Sequence, residues 1–126
     1  MTSYTVGLDM IEIERIRKSL RLPGFKNRVF SQKEQEFLEG RGFPPQTAAA
    51  NFCAKEAFSK AIGTGIRGFS LAEVSLLRDP LGKPYLVLEG RAKKIAEKMG
   101  LSFSVSVTHT KDFASVVVIG WSEHGS

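Results

Sequence analysis

TAAANFCAKEAFSKAI, Thr47 to Ile62, is the stretch on which the fold turns. It is rich in alanine and contains neither glycine nor proline, so it predicts one long helix, closed by Gly63. Phe43-Pro-Pro45 just before it is a rigid break, and a proline suits the first turn of a new helix. Upstream, Ser31-Gln-Lys-Glu34 has the form of a capping box, opening a helix that ends near Gly40. Earlier still, Tyr4, Val6 and Leu8 alternate with Thr5, Gly7 and Asp9, which predicts a strand ending at an acid. Ile13, Ile16 and Leu20 then recur at helical spacing until Pro23-Gly24 stops them. Downstream the pattern changes. Ala72–Leu77 and Pro84–Glu89 predict two strands joined through Asp79-Pro-Leu-Gly82. Ala92–Met99 predicts a short helix capped by Gly100. Ser102–Thr108 and Ala114–Trp121 predict an antiparallel pair turning around Thr110-Lys-Asp112. The order β-α-α-α-β-β-α-β-β, with helices segregated from hairpins, argues for an α+β fold. The expectation is a single domain over residues 1–126, an antiparallel sheet with the long helix packed on it. The small polar residues 122–126 are expected to form a frayed tail.

At 126 residues the chain has room for one core and not for two. Its net charge of +5 and isoelectric point near 9.6 favour an anionic partner. Nucleic acid, anionic lipid, a phosphorylated small molecule and an acidic protein all qualify. The one cysteine, Cys53, excludes an intrachain disulfide and suits a reducing compartment. The N-terminus does not read as a secretory signal, and no apolar run approaches the ~20 residues of a membrane span. A cytoplasmic location is therefore expected. Neither a Walker loop nor GxGxxG occurs, and no residues surround Cys53 in a metal-cluster pattern.

Several residues have the chemistry for a site. Asp9 follows apolar neighbours at a predicted strand end, where it can cap the next helix or ligate a hard cation. Glu56 and Lys60 are four apart on the long helix; a solvated i,i+4 pair and a metal-plus-phosphate pair both fit that spacing. Phe52, Ser59 and Gly63 fall on the same face. Gly63-Thr64-Gly65 can cap the helix or let backbone approach a ligand closely. His109 ends an alternating strand beside Thr108, Thr110 and Lys111, company suited to phosphate. Residues 15–33 carry Arg15, Arg17, Lys18, Arg21, Lys26, Arg28 and Lys33 and no acid. Apolar residues including Phe25 interleave with them, which fits a solvated basic face or a dock for an acidic helix.

In order, these pieces resemble the short bacterial-type 4'-phosphopantetheinyl transferases, the holo-acyl-carrier-protein synthases. The matching blocks are Val6-Gly-Leu-Asp9 with Arg15, Phe52-Cys-Ala-Lys-Glu-Ala-Phe-Ser-Lys60, Gly63-Thr-Gly65, Gly82-Lys-Pro84 and Ser104-Val-Ser-Val-Thr-His109. The resemblance spans about residues 5 to 119, and the helical block with its glycine loop is its most specific part.

The resemblance implies a magnesium-dependent enzyme of fatty acid biosynthesis. Such an enzyme moves the phosphopantetheine of coenzyme A to a serine of an acidic acyl carrier protein and releases 3',5'-adenosine bisphosphate. It implies magnesium on Asp9 and Glu56, Lys60 on the diphosphate, and Gly63, Thr64 and Gly65 near the nucleotide. It places Thr108 and His109 near the adenosine and its 3'-phosphate, and Arg15, Arg21, Phe25 and Arg28 on the carrier. It also implies a homotrimer with sites between subunits, so that His109 serves a neighbour, and neither nucleic acid nor membrane as a partner. The competing readings are a nucleic-acid-binding basic module and a non-enzymatic coenzyme A-binding protein. The second would not need Asp9 or Glu56.

Overall fold

A computed structural model describes residues 2–123. In chain order it contains β1 (Thr2–Glu12), α1 (Ile13–Ser19), α2 (Phe25–Val29), α3 (Gln32–Glu39), α4 (Pro45–Ile62), a single 3-10 turn (Leu71–Glu73), β2 (Val74–Arg78), β3 (Pro84–Leu88), α5 (Gly90–Met99), β4 (Ser102–His109) and β5 (Phe113–Glu123). The strands form two antiparallel sheets, one of three strands in the order β1-β5-β4 and one made of β2 and β3. The α+β reading holds, with the strands divided between two sheets.

The long helix forms where its composition places it, with Pro45 in its first turn and Gly63 closing it in the left-handed region at φ 81°. Its alanine face packs on the larger sheet: Ala50, Ala54, Ala57 and Ala61 join Ile11, Ala114, Val116 and Val118 in one core. Small side chains let a helix lie close to a sheet, and that closeness positions the site. The capping box also forms. Ser31 Oγ accepts from Glu34 N at 3.2 Å, and Glu34 Oε1 accepts from Ser31 N at 3.0 Å.

Glu34 then does more than cap. It is wholly buried with Lys55 and Asn51. Lys55 Nζ donates to Glu34 Oε1 at 2.5 Å and to the carbonyls of Leu71 and Val74. Glu34 Oε2 accepts from Asn51 Nδ2 at 2.9 Å and from Leu76 N at 3.1 Å. One satisfied polar cluster thus ties α3 and α4 to the second sheet, as a buried charge requires.

Four boundaries depart from the sequence reading. β1 does not end at Asp9 but continues to Glu12, because Met10, Ile11 and Glu12 keep pairing with β5. An extra helix, α2, follows the Pro23-Gly24 stop; Phe25 and Val29, four apart, are both buried on it. Residues 71–73 form a 3-10 turn rather than the start of a strand, held as Glu73 Oε1 accepts from Ser70 N at 2.9 Å. Ser122 and Glu123 belong to β5, opposite Ser3 and Thr2, and are not a frayed tail. The rest of that tail, residues 124–126 with His124, lies outside the described residues.

The face of the larger sheet away from α4 is apolar and open. Tyr4, Val6, Leu8 and Met10 of β1 are all more than half exposed, and Ile119 of β5 stands opposite Val6. The β4 positions on this face are serines and a threonine.

Candidate active site

Asp9 lies in mid-strand, with its side chain on the inner face of β1 between Gly7 and Ile11. It is not a helix cap: α1 begins at Ile13 behind Glu12, which makes no side-chain cap. The Asp9 carboxylate reaches the C-terminal half of α4. Lys60 Nζ donates to Asp9 Oδ1 at 3.1 Å and to the Leu8 carbonyl at 3.0 Å, while Cys53 Sγ donates to Asp9 Oδ2 at 3.4 Å. The lysine's ion pair is therefore with Asp9 across the strand–helix contact, not with Glu56 one turn earlier.

Glu56 is half-buried on the same flank. Burial pushes its carboxyl above the ordinary range and the nearby Asp9 charge adds to that, while Lys60 and Arg15 oppose it. A second carboxylate beside Glu56 makes this a favourable place for a cation. The Cys53 thiol is pushed up to about 12, first by burial and then by Asp9, so it stays protonated and acts as a donor, not a ligand. Among the described residues no cluster of three or more His, Cys, Asp or Glu could hold a metal by itself. Two carboxylates fit magnesium, which keeps several waters and commonly completes its shell with substrate phosphate.

Gly63, Thr64 and Gly65 continue from Lys60 and are exposed. The N–H groups of Gly63 and Gly65 both donate to the Ser59 carbonyl, and Thr64 Oγ1 donates to Gly65 O at 2.7 Å. Gly65 takes φ 64°, a conformation glycine adopts without strain.

Thr108 and His109 are elsewhere. Both are exposed at the end of β4, and His109 lines a cavity of about 300 Å³ with Gln46, Thr47, Arg41 and Arg78 at the opposite end of α4. From Gln46 to Lys60 the helix rises about 21 Å at ~1.5 Å per residue. One chain thus brings Asp9, Glu56, Lys60 and the glycine loop together and leaves Thr108 and His109 apart. Sequence reasoning missed the arginines of that cavity. Their guanidinium carbons sit 4.0 Å (Arg41) and 5.0 Å (Arg78) from the ring centre of Phe37. Arg78 Nη1 also donates to Asn51 Oδ1 at 3.0 Å. Only the folding of β2 against α3 shows that they converge.

Of the residues expected to meet a carrier, Arg15, Arg21 and Arg28 are exposed on α1, the turn after it and α2. Arg15 is near enough to influence Glu56. Phe25 corrects the expectation. It is buried, stacked on Phe52 at 6.3 Å and edge-on to Phe30 at 6.1 Å, so it supports the basic face from beneath. The exposed apolar residue there is Leu22.

An α+β domain that joins two acids and a lysine at a strand–helix contact, followed by an open glycine loop, is built like an enzyme acting on phosphate groups. Residues 5–116 match the family model of the 4'-phosphopantetheinyl transferase superfamily, and the chain belongs to that superfamily. It is 45% identical to the holo-[acyl-carrier-protein] synthase of Fusobacterium nucleatum over 90% of this chain and 95% of that protein. The synthase of Caldanaerobacter subterraneus is also 45% identical, over 90% of this chain and 91% of its own. Among solved structures, a Chronobacterium ammoniagenes ACPS–CoA complex superposes with a TM-score of 0.84 at 30% identity, covering 97% and 99% of the two chains.

Proposed function

We propose that this chain transfers the 4'-phosphopantetheine group of coenzyme A to a serine hydroxyl of an apo acyl carrier protein. The observation that carries the reading is the meeting of Asp9, Glu56 and Lys60 at one end of α4, beside Gly63-Thr-Gly65. Its relatives bear the name of that activity, and a neighbouring fold is solved with coenzyme A. The serine oxygen attacks the phosphorus that bears the pantetheine arm. The bond from that phosphorus to the oxygen shared with the adenosine-side phosphate breaks, and 3',5'-adenosine bisphosphate leaves.

Asp9 and Glu56 would hold magnesium beside the coenzyme A diphosphate. When bound, the ion offsets charge developing on the phosphoryl oxygens. Lys60, whose ammonium reaches Asp9, contacts the diphosphate. Glu56, or a metal-bound water, would take the serine proton. Arg15, Arg21 and Arg28 dock an acidic carrier beside the site.

Thr108 and His109 complete the nucleotide pocket of a neighbouring copy in a homotrimer. Two observations support this: His109 lines a cavity with Gln46 at the N-terminal end of α4 while Lys60 lies near its C-terminal end, and the open apolar face of β1 and β5 is a large exposed patch of the kind that marks an interface. A closed ring of three would bury that face and pair one copy's Lys60 with another's His109.

The test incubates the protein with coenzyme A, magnesium and apo carrier and weighs the carrier. It should gain the mass of the arm, and Asp9→Ala or Glu56→Ala should abolish the gain while the fold persists. Either variant at near-parent activity refutes the site. Glu56→Ala and His109→Ala, each inactive alone, should recover part of the activity when dissociated and reassembled together. No recovery refutes the shared site.

A further inference from the structure

The acids and the lysine come from two elements whose backbones meet. β1 turns Gly7 inward on the same face as Asp9, two residues before it. α4 turns Ala57 and Ala61 toward the sheet, and these directly follow Glu56 and Lys60. A Cβ built at Gly7 would stand 1.8 Å from the Ala57 carbonyl oxygen and 2.7 Å from Ala61 N. Real Cβ atoms essentially never come within 3.0 Å of a heavy atom. Unlike Gly63, Gly65 and Gly100 in the turns and caps, Gly7 does not occupy the left-handed region. It is required by space alone. Gly90 and Gly120 are also crowded, but by side chains: the Glu73 carboxylate at Gly90, and Thr5 Oγ1 and the Phe103 ring at Gly120. A side chain can rotate away, whereas the Ala57 carbonyl belongs to the hydrogen-bonded interior of α4.

We propose that Gly7 is a positioning residue for the transfer reaction. By letting the backbones of β1 and α4 touch, it sets the spacing at which Asp9 and Glu56 share one cation and Lys60 reaches past Asp9. This rests on the two-carboxylate reading above. A methyl group at position 7 wedges α4 away from the strand by more than an ångström, because the Ala57 oxygen must retreat from 1.8 Å to beyond 3.0 Å. Glu56 and Lys60 move with the helix and Asp9 stays with the strand. Magnesium demands nearly ideal octahedral geometry at ~2.0–2.1 Å and tolerates little such displacement.

The experiment follows manganese(II), as a paramagnetic stand-in for magnesium, by the loss of its free-ion resonance in the presence of coenzyme A and without carrier. Far-UV circular dichroism and urea unfolding are run in parallel. Gly7→Ala should weaken manganese binding at least about tenfold, the scale on which sub-ångström to ångström misplacement acts. Gly120→Ala, a wedge in the same core that meets only side chains, should lose stability but keep manganese affinity within about twofold, so lost stability by itself does not explain the effect. Asp9→Asn is the reference. If it leaves manganese affinity unchanged, the metal assignment fails; if it abolishes binding and folded Gly7→Ala binds like the parent, the Gly7 inference fails. Should Gly7→Ala not fold, Ala61→Val drives the same wedge from the helix side. Manganese binding weakened several-fold supports the inference, and unchanged binding overturns it.

Discussion

Replacing Lys55 by methionine removes the cation that touches Glu34 in the polar cluster inside the core, leaving Arg78 bound to Asn51 at its edge. Three acceptors each lose a donor, Glu34 Oε1 and the carbonyls of Leu71 and Val74, although Ser31 N still donates to Glu34 Oε1 and Val74 N to the Leu71 carbonyl. The Glu34 carboxylate stays, wholly buried, with three N–H donors left from Ser31, Asn51 and Leu76. Breaking a buried pair by removing one partner costs about 3–5 kcal/mol, since the other charge remains out of water. The surviving donors place this case toward the lower end, at about 3–4 kcal/mol. For a domain of this size that corresponds to a midpoint lower by roughly 10–15 °C. Urea unfolding followed by circular dichroism at pH 7 measures it directly. Adding Glu34→Gln to Lys55→Met removes the orphaned charge but keeps an oxygen acceptor, and should restore about 1–2 kcal/mol. A loss below about 1 kcal/mol for the single variant, or a further loss in the double, would refute the claim that this charge pair is dry and tightly held.

Three further outcomes follow from the site. In metal-free buffer the raised carboxyl of Glu56 means the folded protein holds that proton more tightly than the unfolded chain. Its stabilising effect is complete below the ordinary value of 4.5 and fades as pH rises through the folded value, so the parent's midpoint relative to Glu56→Gln should fall over that window. A rising difference would mean that the sign is wrong. Cys53, fully buried and held near pKa 12, should resist a thiol reagent at pH 8 in the folded protein and react once it is unfolded; fast labelling of the native state contradicts the packing. Arg15→Glu should raise the KM for carrier several-fold and leave coenzyme A binding nearly unchanged, and salt should weaken carrier binding in the parent over a screening length of ~10 Å at 0.1 M. A KM for carrier that ignores salt counts against an electrostatic dock.

Much of this was legible along the chain because it rests on local rules. Alanine content, Pro45 and Gly63 bound α4; Ser31 and Glu34 cap α3; alternation marks β1 and β4, and an apolar β-branched run marks β5. The residues of the candidate site were visible for the same reason, as acids, a lysine and glycines in recognisable blocks. Local rules also misled where tertiary pairing overrode them. Asp9 looked like a strand end because an acid interrupts an apolar run, yet β5 carries β1 past it to Glu12. Phe25 looked available to a partner because its neighbours are basic, yet Phe52 and Phe30 bury it. Long-range geometry is what sequence spacing cannot encode. That Lys60 pairs with Asp9 rather than Glu56, that Arg41 and Arg78 converge beside His109, and that His109 opens beside Gln46 rather than beside Lys60 all depend on which faces pack together. Residue identity determined the chemical groups this protein carries. Their distances were decided by a helix settling onto a strand at Gly7, because close packing acts between residues remote in the chain.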